Sequence, residues 1–158
     1  MVHKRFPPAP LWLTLGGIIP FASSLIVLWI WRDEGARLLT AALWLHVYAA
    51  IILSFLGGVR WGVEIARHEV PRWGILGLSV VGALAGWGLV MAAFNPVIRA
   101  WMLGVMAALF GLCFIFDRYA PDLPGWYRAL RLWPSLAAIL CLVSGAGLLL
   151  RYEYIGIP

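Results

Sequence analysis

The chain has 158 residues, 63% hydrophobic and only 12% charged, with a formal net charge of +5 and a mean hydropathy of +0.91. Soluble domains average about 25% charged residues, so this composition excludes an ordinary water-facing globule and makes the bilayer the natural solvent. The positive charge is dispersed between apolar segments without a basic patch or stripe, which argues against nucleic acid and leaves membrane lipids as the expected partners.

Five apolar segments follow in chain order. The first runs from about Leu11 to Trp31, behind the basic start His3-Lys4-Arg5. Its apolar run is too long for a signal-peptide core and ends in no A-x-A site, so it reads as a retained span. Pro20 lies near its middle and predicts a kink with a freed backbone carbonyl. The second segment is Leu38 to Val59 and the third Gly74 to Phe94. The fourth is Pro96 to Phe116, with Asn95 placed to cap and Pro96 suited to the first helical turn. The fifth is Leu132 to Leu150.

Each segment approaches or exceeds the roughly 20 residues that cross the hydrocarbon layer as a helix, and lipid offers no partner to backbone groups outside a helix. The expected fold is therefore all-α: one integral membrane domain over residues 1–158, a bundle of five transmembrane helices. Lys4, Arg5, Arg60, Arg67, Arg72, Arg118, Arg128 and Arg131 fall on one side, and only Arg32, Arg37, Arg99 and Arg151 on the other. The excess of basic residues in short loops predicts the N-terminus inside and the C-terminus outside. Eight of the ten tryptophans sit near span ends, as an interfacial aromatic belt requires.

Two inside loops are longer than simple hairpins. Arg60 to Trp73 can prolong the second helix past the membrane, with Arg60, Glu64 and His68 four residues apart on one face. In the loop from Asp117 to Arg131, Pro121 and Pro124 break the chain before an interfacial helical lead-in through Trp126 and Tyr127. Pro134 then kinks or restarts the fifth helix.

Small residues replace the hydrophobic effect as the means of helix packing in lipid. Ala42, His46, Ala50, Ser54 and Gly58 recur every four residues in the second span, and Gly82 and Gly86 form a GxxxG pair in the third. Close packing of these two spans is the first tertiary expectation, with Ser54 and Gly58 against a neighbouring helix.

The residues that invite a functional reading are few. His46 lies well inside the second span, and an ionisable group at that depth is a functional candidate. The stretch Ser54-Phe55-Leu56-Gly57-Gly58-Val59-Arg60-Trp61-Gly62 places small residues, then a cation and an indole, at the inner end of that span. Arg60 has two candidate acidic partners, Asp117 at the inner end of the fourth span and Glu64 on its own helix; lipid phosphate is the third alternative. There is no nucleophile elbow, phosphate loop, HExxH or pair of intramembrane carboxylates, and Ser54 has no base nearby on its helix. Cys113 and Cys141 have no CxxC or ligand-spaced histidine neighbour and read as small apolar residues. No catalytic set, cofactor or metal is expected.

Leu15-Gly16-Gly17-Ile18-Ile19-Pro20-Phe21, Tyr48, the Ser54–Gly62 stretch, Asp117, Trp126-Tyr127 and Arg131 together resemble the family called domain of unknown function 3429. The resemblance covers most of the chain. It implies a small multi-pass membrane protein and highlights Ser54, Gly57, Gly58, Arg60, Trp61, Asp117, Trp126, Tyr127 and Arg131, without supplying a mechanism. The short N-terminus without an Arg/Ser-rich segment points to a bacterial inner membrane. The leading functional expectation is a non-enzymatic accessory or assembly component of a membrane complex, with other membrane proteins as partners. The alternative is a small permease or lipid- or anion-binding protein using His46 and the arginines of the inner side.

Overall fold

The computed structural model describes residues 7–94 and 98–155, and these are helical with no strands. The basic start, the cap at Asn95 and the first-turn role of Pro96 lie outside the described residues. The first span is broken in two, α1 (Pro8–Gly16) and α2 (Ile19–Ile30). Then come α3 (Gly35–Arg67), α4 (Trp73–Ala93), α5 (Ala100–Tyr119), a short α6 (Gly125–Leu130) and α7 (Leu132–Ile155). With α1 joined to α2 and α6 to α7, five stretches are long and apolar enough to cross a membrane.

The break in the first span follows from Pro20, which has no N–H to bond back to the preceding turn. The structure uses Pro20 in the opening turn of α2, where a missing N–H is harmless. The carbonyl of Gly17 at the break accepts a hydrogen bond from the Tyr48 hydroxyl of α3 at 2.8 Å. Phe21, just past the break, packs edge-on against both Tyr48 and Phe110.

α3 is the centre of the bundle and touches α2, α4, α5 and α7. Its fully buried Leu38, Leu45 and Leu53 meet Leu28, Leu103, Met106, Phe110, Leu142 and Leu149 from the other helices. Gly145 of α7 marks the tightest crossing there: a Cβ at this position would come within 2.9 Å of Leu45 and 3.2 Å of Leu103.

α4 lies on the flank of α3, and its buried residues are all small: Ser79, Gly82, Gly86 and Ala93. The expected close packing of α3 and α4 is present, but in a different register along α3. Gly86 faces Ala50, Gly82 faces the Leu53 carbonyl, and Gly57 sits directly against the Ser79 carbonyl. Ser54 and Gly58 are exposed instead. A stripe of residues spaced by four turns about 40° further around the helix at each step, roughly 160° from Ala42 to Gly58. The spacing that stays in contact mixes three and four, as Ala50, Leu53 and Gly57 do.

Polar groups gather at the two ends of the bundle. At one end Arg151 approaches Asp33 at 3.7 Å, and Glu153 accepts the Ala100 N–H at 3.0 Å. Arg60, Glu64, Arg72, Asp117, Asp122 and Arg131 gather at the other. Trp12, Trp73, Trp101 and Trp133 all face outward, each more than half exposed.

Candidate functional site

At 1.5 Å per residue the 33 residues of α3 reach about 50 Å, well beyond the ~30 Å of hydrocarbon. Arg60 therefore sits at the level where α5 ends. Its Nε donates to Oδ1 of Asp117, in the last turn of α5, at 2.7 Å. From the opposite side the Nε of Arg131 donates to Oδ2 of the same carboxylate at 3.0 Å. The Arg60 guanidinium also lies over the Phe116 ring, 5.5 Å from its centroid.

The proline-rich connection brings Arg131 to this point. Pro124 is extended and starts α6, Arg131 stands at the junction of α6 and α7, and Pro134 falls in the opening turn of α7, where its missing N–H costs nothing. The Ser135 N–H donates to the Arg131 carbonyl at 3.2 Å and carries the chain into α7.

Asp117 is 2% exposed and Arg131 7%. Two guanidinium groups against one carboxylate leave this buried cluster with one unit of positive charge. A buried charge without a counter-charge is expensive. Each guanidinium also retains an unsatisfied donor: Nη2 of Arg60 and Nη2 of Arg131 are buried with no hydrogen-bond partner among the described residues, as is Nε of Arg128 one turn earlier.

Cavities lie on both sides of the cluster. The smaller, about 120 Å³, is lined by Arg60, Asp117, Cys113, Ser79 and Gly57 with apolar neighbours. The larger, about 460 Å³, has Arg131, Trp126 and Tyr127 at one part of its wall. The rest of that wall is mainly apolar and includes Leu13, Phe21, Ile52, Phe55, Leu56 and Phe110. α1 supplies one side of this cavity without burying any of its own residues. Volumes of ~300–1,000 Å³, mostly apolar with a few placed polar groups, are typical of small-molecule sites.

A second ionic cluster lies one turn further along α3. Glu64, 1% exposed, accepts the backbone N–H of Arg72 at 2.7 Å, its Nε at 2.9 Å and its Nη2 at 2.7 Å. The same Nη2 reaches Asp122 at 2.6 Å, and His68 Nδ1 lies 3.6 Å from Glu64. Arg72 thus ties the end of α3 to the connection between α5 and α6. The hydrogen bonds to Glu64, then those to Asp122, raise the pKa of Arg72 above its ordinary value. While its carboxylate partners are ionised, stability linked to that charge is fully present below the ordinary arginine pKa and is lost only as pH rises past the raised value. Glu64, His68 and Asp122 offer ligand atoms within 4.8 Å of one another, but the Arg72 guanidinium already hydrogen-bonds both carboxylates, so the arrangement favours an ionic clamp over a cation site.

Of the residues singled out in the sequence, Arg60, Asp117, Trp126, Tyr127 and Arg131 converge around one cluster and its cavities, and Gly57 lines the smaller cavity. The direct pairing of Arg60 is with Asp117; Glu64 turns to Arg72. Ser54 and Gly58 do not join, because their side of α3 faces outward. Trp61 is 43% exposed and also stands apart. His46 is fully buried between α3 and its neighbours, with neither ring nitrogen hydrogen-bonded among the described residues. It lines neither of the two cavities. Sequence reasoning missed the Glu64–Arg72–Asp122 clamp; the available signal was an acid near the end of α3 followed by a chain break at Pro71 and then Arg72.

A family model described as "Protein of unknown function (DUF3429)" matches residues 6–147. Transmembrane protein 69 of Xenopus tropicalis is 34% identical over 144 residues, covering 89% of this chain and 54% of that protein. Transmembrane protein 69 of Mus musculus is 28% identical over 141 residues, covering 87% of this chain and 55% of that protein. The chain spans about half the length of these curated relatives. No solved structure matches it.

Proposed function

Since the chain belongs to the DUF3429 family of membrane proteins, whose description assigns no activity, we propose from its own geometry that it binds an amphiphilic molecule taken from the bilayer. The apolar body of the ligand occupies the 460 Å³ cavity and its polar end meets Arg131. One observation carries this reading: Arg131, a buried arginine that keeps one donor without a partner among the described residues, contributes to the wall of a mainly apolar cavity. Such a wall suits a molecule that is apolar along most of its length and polar at one end.

Filling the cavity tests it. Ile52→Trp narrows the space between α3 and α1 without touching the ionic cluster. Native mass spectrometry of the purified protein is expected to show a retained amphiphile in the wild type and its loss in the variant. Equal retention in both would remove the cavity from the mechanism.

A second reading, an assembly component of a membrane complex, has one observation in its favour. Ser54 and Gly58 stand one turn apart on the outward surface of α3, where another helix can approach the backbone closely. A photocrosslinker at Ser54 that yields only lipid adducts in native membranes would count against it.

The excess of basic residues supports an inner-side position for the Arg60–Asp117–Arg131 end of the bundle. Hydrogen bonding to Arg131 would then occur at the level of the inner-leaflet headgroups.

A further inference from the structure

We propose that the ligand is a single-chain anion, an amphiphile ending in a carboxylate or phosphate monoester, and that Arg131 holds its charged end. This rests on the amphiphile reading above and adds the chemical class.

The charge argument comes first. Asp117 neutralises one of the two guanidinium groups that bond to it, and no other carboxylate among the described residues pairs with either. A neutral hydroxyl head would accept a hydrogen bond and leave the extra charge uncompensated; a cationic head would add to it. An anion settles both at once.

The hydrogen-bond argument is independent of charge. Both arginines spend Nε on Asp117 and keep a buried Nη2 without a partner, and Arg128 keeps a buried Nε. Every one of these unsatisfied atoms is a donor. Of the three, Arg131 stands in the wall of the larger cavity; a ligand that answers it must present acceptors, and the planar guanidinium matches the paired oxygens of carboxylate and phosphate. Buried donors left unmade are rare in stable proteins and mark places where a partner belongs.

The cavity sets the rest of the molecule. Arg131 stands in the same wall as the edge-to-face pair Trp126 and Tyr127, whose ring centroids are 5.9 Å apart. The remainder is mainly apolar, and 460 Å³ is the space of one small-ligand body. A two-chain phospholipid would have to leave a chain outside, along the exposed face of α1.

The test uses the full-length protein in a neutral detergent, with binding followed by Trp126 fluorescence against a Trp126→Phe control. The probes are palmitate, hexadecyl phosphate, hexadecanol, hexadecyltrimethylammonium and inorganic phosphate. Palmitate or hexadecyl phosphate is expected to bind about tenfold or more tighter than hexadecanol, the difference a charge-assisted pair supplies. Arg131→Gln should erase that preference while hexadecanol binding persists. Ile52→Trp, which leaves the ionic cluster whole, should weaken all the chain-bearing probes.

Equal binding of hexadecanol and palmitate by the wild type would overturn the anionic class and leave the amphiphile reading standing. Binding of inorganic phosphate as tight as that of hexadecyl phosphate would overturn the chain and make this a free-anion site. If no chain-bearing probe binds, both readings fail.

Discussion

Gly57 and Gly58 are adjacent in sequence and opposite in environment. A Cβ at Gly57 would run into the Ser79 backbone carbonyl, whereas one at Gly58 would meet nothing within 4 Å. Gly57→Ala should therefore cost about 1–3 kcal/mol, the range of an overpacked core, and Gly58→Ala should lie within about 0.5 kcal/mol of wild type. Thermal unfolding in detergent separates the two, and a stable Gly57→Ala protein would refute the α3–α4 register. Asp117 offers a sharper case, because it is the shared acceptor of buried Arg131 and partly buried Arg60. Asp117→Ala leaves both charges unpaired and should destabilise by about 3–5 kcal/mol. A triple variant that also replaces Arg60 and Arg131 with Met should recover part of that loss, measured by the same unfolding signal.

At the scale of elements, the break between α1 and α2 and the clamp at the end of α3 position the larger cavity. The Tyr48 hydroxyl holds the Gly17 carbonyl at the break. Tyr48→Phe removes one neutral hydrogen bond, a loss of about 0.5–1.5 kcal/mol. It should also raise hydrogen exchange in α1 more than in α7, because α1 has no buried residue of its own to hold it. The clamp makes a similar local prediction. Glu64→Gln weakens the attachment of Arg72 and should expose the segment from residues 68 to 72 to limited proteolysis while the helices remain intact. The expected spans were legible from apolar runs, and the helical lead-in before Pro134 from the breaks at Pro121 and Pro124. The partner of Glu64 was not, since the eight residues to Arg72 include a non-helical turn whose path no helical spacing describes.

At the scale of the molecule, the two ends carry separate ionic groups, and the charge asymmetry predicts the Arg60 end inside and the Asp33 end outside. Cysteines introduced at Arg32 and Asp122 should react with a membrane-impermeant thiol reagent from opposite faces of sealed vesicles, Arg32→Cys from outside and Asp122→Cys from inside. Labelling of both from the same face would contradict the five-span topology, and reversed labelling the orientation.

Composition and apolar run length determined by themselves that the chain crosses a membrane as five helices, because a bilayer permits few other ways to satisfy a backbone. They also marked Arg60 and Asp117 at the inner ends of apolar segments, and the family resemblance added Arg131. Which acid Arg60 pairs with, which glycine meets α4, and where a cavity opens were decided only by the tertiary structure. Each depends on the rotation of one helix about its axis, where a single residue is a turn of about 100°. That rotation is fixed by packing against several helices at once, and no one segment contains it.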